Sequence, residues 1–198
     1  MLEVRLLGVR CRLSLLFPAL VTALLLWQPD GLAVSCVMAS AMHEGGHLLA
    51  MLSLGYPPTA CTLGAFGMRI RLGHRLPGYG HNMLISFAGP AVNLLSAGVL
   101  FLLGSPTAAI VHLTLAGFNL LPASALDGGE LLRCGVCLLG LEPLAAPLLR
   151  LTSALVLLPL AAGSIWLFLQ GWGNGTLLIV SAYLVVLVFF SDKNEKNT

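Results

Sequence analysis

Charged side chains are scarce in this chain of 198 residues. Asp, Glu, Lys and Arg make up 9% of it and hydrophobic residues 58%, whereas ordinary soluble domains carry about 25% charged residues. Ten basic and eight acidic side chains are too few to cover a soluble body of 20.8 kDa. Most of the surface must therefore face lipid, which excludes a nucleic-acid-binding module and an ordinary cytosolic enzyme.

Paired cysteines are also lacking. The five cysteines are odd in number and scattered through apolar sequence, which indicates small, reduced hydrophobic residues rather than a disulfide framework. Cys134 and Cys137 form a CxxC, but no second pair accompanies it in the sequence. A redox or metal site at these two residues is therefore weakly indicated.

Long apolar runs, in contrast, are abundant. About 20 consecutive apolar residues can cross a bilayer as a helix. The sequence predicts an all-α polytopic membrane protein with about six transmembrane helices: Leu13–Trp27, Leu32–Leu54, Met83–Leu103, Thr107–Leu121, Leu151–Leu169 and Thr176–Phe190.

The basic residues predict the orientation of these spans, because Lys and Arg accumulate in cytoplasmic loops. All ten lie in the N-terminal segment, in 55–82, in 128–150 or in the tail. We therefore predict a multi-pass protein of the cytoplasmic membrane with both termini in the cytoplasm. The segment 62–72 ends in alternating apolar and charged residues, which predicts a small β element at the membrane surface.

The second predicted span contains three ionisable residues, His43, Glu44 and His47. Such residues are costly inside a bilayer and by default indicate function. Positions i and i+4 of a helix share one face, so both imidazoles can reach one ion, and Glu44 is placed to act as a general base. A polar cluster without catalysis, or an ion path through the same groups, is the alternative.

Two histidines leave a catalytic zinc one protein ligand short. The remaining candidates are Asp127, Glu130, His74, His81 and His112. His74 and His81 are expected in a solvated loop, and His112 is expected to be a packed or interfacial residue. Asp127 and Glu130 remain, beside Pro122 and a glycine pair that should unwind the helix at this point.

Three motifs in this order resemble those of the site-2 protease family of intramembrane zinc metalloproteases. They are HExGH at His43, Glu44, Gly46 and His47; Gly89-Pro90-x-x-Asn93; and N-x-x-P-x-x-x-x-D-G at Asn119, Pro122, Asp127 and Gly128. The resemblance covers about residues 32–133 and implies a three-helix catalytic core there. The short form with six spans looks most like the sporulation-type branch, which processes a pro-sigma factor.

The resemblance implies one Zn²⁺ per chain, bound by His43, His47 and Asp127, with Glu44 as the catalytic base. Asn119 and Asn93 are implied as contacts of the substrate backbone or the oxyanion, and an interhelical hydrogen bond is the alternative for each. Residues 1–198 are expected to form one integral membrane domain, without a PDZ or CBS domain.

The implied activity is regulated intramembrane proteolysis of a membrane-embedded or membrane-associated substrate, such as a pro-sigma or anti-sigma factor. A membrane regulatory protein is a further candidate partner beside the lipid bilayer, and no nucleic acid is expected. The alternatives are a divalent-metal transporter, which has no need of Glu44 between the histidines, and a catalytically inactive membrane scaffold.

Overall fold

The computed structural model describes residues 2–6, 9–13, 21–22, 31–64, 67–72 and 76–171. The chain falls into two compact units, Met1–Phe118 and Asn119–Thr198. The expectation of a single membrane domain stays a prediction.

The first unit contains a four-stranded sheet, with strands β1 (Leu2–Leu6), β2 (Val9–Leu13), β3 (Pro58–Gly64) and β4 (Gly67–Leu72). The strand order is β1-β2-β3-β4; β2 and β3 run parallel, and the other two pairs are antiparallel. The β element predicted over 62–72 is part of the hairpin of β3 and β4. Its partner strands β1 and β2 were not predicted, because their arginines were interpreted as the charged flank of a first span.

Three helices complete the described part of the first unit. They are α1 (Leu32–Ser53), α2 (Tyr79–Leu102) and α3 (Pro106–Asn119), whose last residue opens the second unit. Glycine in the left-handed conformation follows α1 at Gly55, where φ is 80°, as is common at helix ends. The proline that begins α3 occupies the first helical position, where its missing N–H costs nothing.

Helices α1 and α2 pack closely because small residues face each other. A Cβ on Gly46 would lie 2.7 Å from the carbonyl oxygen of Ala88. Gly46 therefore permits close packing of the two helices. A Cβ on Gly45, in contrast, would meet nothing within 4 Å.

The second unit contains α4 (Asp127–Leu138) and α5 (Glu142–Leu169), which pack against each other. The irregular segment 120–126 precedes α4, so the chain unwinds where Pro122 and the glycine pair predicted. Gly128 and Gly129 permit a close approach there: a Cβ on them would lie 2.2 and 2.1 Å from the carbonyl oxygens of Leu120 and Ala123.

Helices α1, α2, α3 and α5 coincide with the second to fifth predicted spans. Among the described residues, Tyr79–Leu102 and Glu142–Leu169 are long and apolar enough to cross a membrane. Most of the first predicted span and all of the sixth lie outside the described residues. The fold is mostly helical and consistent with a membrane protein, while the count of six spans stays a prediction.

Candidate metal centre

Two buried imidazoles face each other on α1. His43 and His47 lie one helical turn apart, with exposed fractions of 6% and 9%. Their Nε2 atoms are 3.1 Å apart, and their rings meet edge to face with centroids 4.7 Å apart. The i, i+4 spacing therefore brings the two rings to one point, as the sequence predicted.

The other nitrogen of each ring is held by α2. His47 Nδ1 lies 2.7 Å from the backbone oxygen of Ile85, and His43 Nδ1 lies 3.3 Å from Asn93 Nδ2. A carbonyl oxygen only accepts hydrogen bonds, so His47 carries its proton on Nδ1 and leaves the Nε2 lone pair directed at His43. Metal-binding histidines in proteins are commonly oriented in this way by a hydrogen bond to the second nitrogen.

The spacing of the pair fits a tetrahedral metal ion. Zinc–nitrogen bonds of about 2.0–2.1 Å place two ligand nitrogens about 3.3 Å apart at a tetrahedral angle. The observed separation of the Nε2 atoms is 3.1 Å. Little movement of either ring is needed to hold zinc.

Space for the two rings depends on Gly89 of α2. A Cβ there would lie 2.4 Å from His47 Nε2 and 2.9 Å from His43 Cε1. Any larger residue would occupy the position of the imidazoles. The glycine of the Gly-Pro motif therefore makes room for the pair.

Glu44 follows His43 on α1 and is partly exposed. A carboxylate next to a ligand histidine on an HExxH helix has the chemistry of a general base, because it can take a proton from a metal-bound water. Its assignment as the base stays a prediction.

The acidic candidates Asp127 and Glu130 belong to the second unit. Asp127 is the first residue of α4, directly after the irregular segment. Glu130 pairs with Arg133, whose Nε donates to its carboxylate at 2.8 Å. This hydrogen bond raises the pKa of Arg133 further above its ordinary value. Glu130 is therefore engaged in an i, i+3 ion pair, as is common on helix surfaces.

The remaining predicted residues have separate positions. Asn119 is the last residue of α3. His81 is exposed and lies 3.0 Å from the hydroxyl of Tyr56 through Nδ1, and His74 lies outside the described residues. Cys134 and Cys137 are buried and form no disulfide, and the Cys134 thiol lies 3.4 Å from Glu130 Oε1.

His112 is a polar residue whose contact the sequence did not predict. Its exposed fraction is 3%, and its Nδ1 lies 3.1 Å from Asn93 Oδ1. The signal was present, because an asparagine and a histidine in neighbouring apolar spans each need a polar partner. The sequence did not indicate that α2 and α3 lie side by side, so it could not identify Asn93 and His112 as partners.

Comparison with known proteins supports the fold. No family model matches the chain, and no curated protein matches it at a significant level. Among solved structures, the chain is similar to the site-2 protease from Methanocaldococcus jannaschii, with a TM-score of 0.66 and 20% sequence identity over 92% of this chain and 91% of that one. The chain therefore has a site-2 protease fold, which confirms the resemblance in its motifs at the level of the fold.

Proposed function

We propose that this protein is an intramembrane zinc metalloprotease. The observation that carries the proposal is the buried pair His43 and His47, whose Nε2 atoms lie 3.1 Å apart on a helix of mostly apolar residues. Two imidazoles held at the spacing of metal ligands, on a fold shared with a site-2 protease, favour metal-dependent proteolysis over a purely structural polar cluster.

The proposed third ligand is Asp127. Imidazole and carboxylate are both ordinary zinc ligands, and three protein ligands would leave the fourth position open, as in catalytic zinc sites. The N-x-x-P-x-x-x-x-D-G motif supports Asp127 in this role. The ion pair with Arg133 gives Glu130 a different partner.

Glu44 is proposed as the general base. Zinc, when bound, supplies a lowered pKa of its water and polarisation of the scissile carbonyl. Glu44 would accept a proton from the attacking water and later pass it to the leaving amine. Asn119 is proposed to hold the substrate backbone near the reacting carbonyl, as its place in the family motif implies.

The proposed substrate is a membrane-embedded or membrane-associated protein cut in or near its transmembrane segment. The similarity to the solved site-2 protease concerns the fold and does not support the sporulation-type branch. A sigma-factor precursor is therefore not proposed as the particular substrate. The edge of the sheet at β4 supports binding of an extended substrate by strand addition. A helical substrate has to unwind first, so helix-destabilising residues are expected at the cut site.

The proposed setting is the cytoplasmic membrane, crossed several times, with both termini in the cytoplasm. The distribution of basic residues supports this orientation. His47 lies eight residues and His43 twelve residues before Gly55, which corresponds to about 12–18 Å along a helix. The metal would then lie below the cytoplasmic surface, and cleavage should fall in the cytoplasmic half of the substrate span.

The test is cleavage of a model single-pass substrate by the purified full chain in liposomes, with metal content measured on the same samples. Wild type should cleave and carry one zinc per chain. Glu44→Gln should abolish cleavage yet keep the zinc, since glutamine cannot accept the proton. The matched control is Glu130→Gln, which also removes one carboxylate. This variant should keep both the cleavage activity and the bound zinc. A Glu44→Gln variant that still cleaves would refute the proposed base, and metal transport without cleavage by wild type would favour a transporter.

A further inference from the structure

The hydrogen bonds around His43 continue across three helices. His43 of α1 contacts Asn93 of α2, and Asn93 contacts His112 of α3 at 3.1 Å. Asn93 is 0% exposed and His112 is 3% exposed. No step of the proposed proteolysis uses His112, so this buried histidine needs another account.

The arrangement in the structure has one consistent direction. Asn93 Nδ2 only donates, so His43 Nδ1 accepts and the proton of a neutral His43 lies on Nε2. That Nε2 donates to His47 Nε2, whose own ring donates from Nδ1 to Ile85. Asn93 Oδ1 only accepts, so His112 donates to it from Nδ1.

Metal binding requires the opposite direction at His43. A ligating nitrogen must be unprotonated, so a neutral His43 bound through Nε2 carries its proton on Nδ1 and needs an acceptor there. Asn93 can supply one by a half-turn of its amide, which brings Oδ1 to His43 and Nδ2 to His112. His112 Nδ1 must then accept, and an imidazole does this by placing its proton on Nε2.

We propose that Asn93 and His112 are positioning residues for the proposed metal ligand His43, forming a hydrogen-bonded relay whose direction follows the tautomer of His43. This inference rests on the proposed zinc site. It replaces, for Asn93, the predicted contact with substrate or oxyanion. Both ends of its amide are occupied by imidazoles of this chain.

The relay explains why a histidine stands at position 112. A side chain that only donates hydrogen bonds could pair with Asn93 Oδ1, but it could not pair with Asn93 Nδ2 after the amide has turned. An imidazole can donate or accept at the same Nδ1 without moving its ring. Residues that orient ligand histidines contribute about 10–100-fold to metal affinity, which sets the size of the expected effect.

The experiment measures zinc affinity of the purified full chain by competition with a chromophoric chelator, and the visible spectrum of the Co²⁺-loaded protein. Asn93→Leu should weaken zinc binding by about 10–100-fold and alter the Co²⁺ bands, since the His43 ring loses its partner. Asn93→Asp keeps an acceptor for His43 and should recover most of the affinity. Ser96→Ala is the matched control, because the Ser96 hydroxyl donates to the Val92 oxygen of its own helix, and this variant should bind zinc as wild type does.

The role of His112 is tested by combination. His112→Leu should weaken zinc binding less than Asn93→Leu, and the double variant should be no weaker than Asn93→Leu, because His112 acts through Asn93. Additive losses, or an Asn93→Leu variant with wild-type affinity and Co²⁺ spectrum, would overturn the relay. Other results would contradict the proposed function. If the wild-type protein binds no zinc, both the zinc site and the relay are wrong. If it binds zinc but cleaves no substrate, the proposed proteolysis is wrong and the relay is still supported.

Discussion

Substitution of Gly89 by alanine should disable the metal centre while leaving the fold in place. The added methyl would lie 2.4 Å from His47 Nε2, 2.6 Å from His47 Cε1 and 2.9 Å from His43 Cε1. The His47 ring would have to withdraw by about 1 Å to restore an ordinary van der Waals contact. The ring cannot withdraw freely, because its Nδ1 is bound to the Ile85 oxygen at 2.7 Å.

A displacement of this size is large for a catalytic site. Misplacement by about 1 Å can cost about 100-fold in rate, and metal sites tolerate only about 0.2 Å in their bond lengths. We therefore expect Gly89→Ala to lower proteolysis at least about 100-fold and to weaken zinc binding markedly. Overpacking should also destabilise the fold by about 1–3 kcal/mol.

The matched control is Gly98→Ala on the same helix. A Cβ there meets nothing within 4 Å, and alanine is favoured over glycine inside a helix by roughly 0.5–1 kcal/mol. Gly98→Ala should therefore keep zinc, activity and thermal stability. The measurements are zinc content, cleavage of the model substrate and unfolding temperature on both variants. Equal zinc affinity in the two would refute the close approach of Gly89 to the imidazoles.

Three further results are expected. Asp127→Ala should lose zinc and activity together, whereas Glu130→Gln should keep zinc in a metal analysis; the reverse pattern would move the third ligand to Glu130. Gly46→Ala should lower the unfolding temperature by forcing α1 from the Ala88 backbone, with Gly45→Ala as its control, since that position is open; equal stability of the two would argue against this packing. A reporter in the 171–175 loop should lie outside and one at the C-terminus inside, and a cytoplasmic 171–175 loop would refute the six-span topology.

Much of the local structure could be predicted from the sequence, because its signals lie within a few residues. Helix α1, predicted as Leu32–Leu54, is Leu32–Ser53. The i, i+4 spacing fixes His43 and His47 on one face of that helix, so their meeting needed no knowledge of the rest of the fold. Pro122, followed by a glycine pair, likewise predicted the break before α4.

Contacts between distant segments could not be predicted in the same way. Strand β1 pairs with its neighbour β2, but β2 joins the rest of the sheet through β3, where Arg10 lies opposite Ala60. An arginine-rich N-terminus is compatible with a membrane flank or with a strand, and only the pairing partner decides between them. His112 was similarly ambiguous, because its neighbour Asn93 lies on another helix.

The Gly-Pro-x-x-Asn segment of α2 gains a physical role from this packing. His47 contacts Ile85 and His43 contacts Asn93, so α1 and α2 run antiparallel, and Gly89 lies between these two contacts against both rings. Gly89 and Asn93 are one turn apart on α2, as the histidines are on α1. One helix thus supplies the two proposed metal ligands, while the other supplies the space for their rings and the hydrogen bonds at their Nδ1 atoms. A relative shift of one residue along either helix would replace Gly89 by a side chain at the rings and remove Asn93 from His43. The motif on α2 is therefore a requirement of the histidine pair on α1.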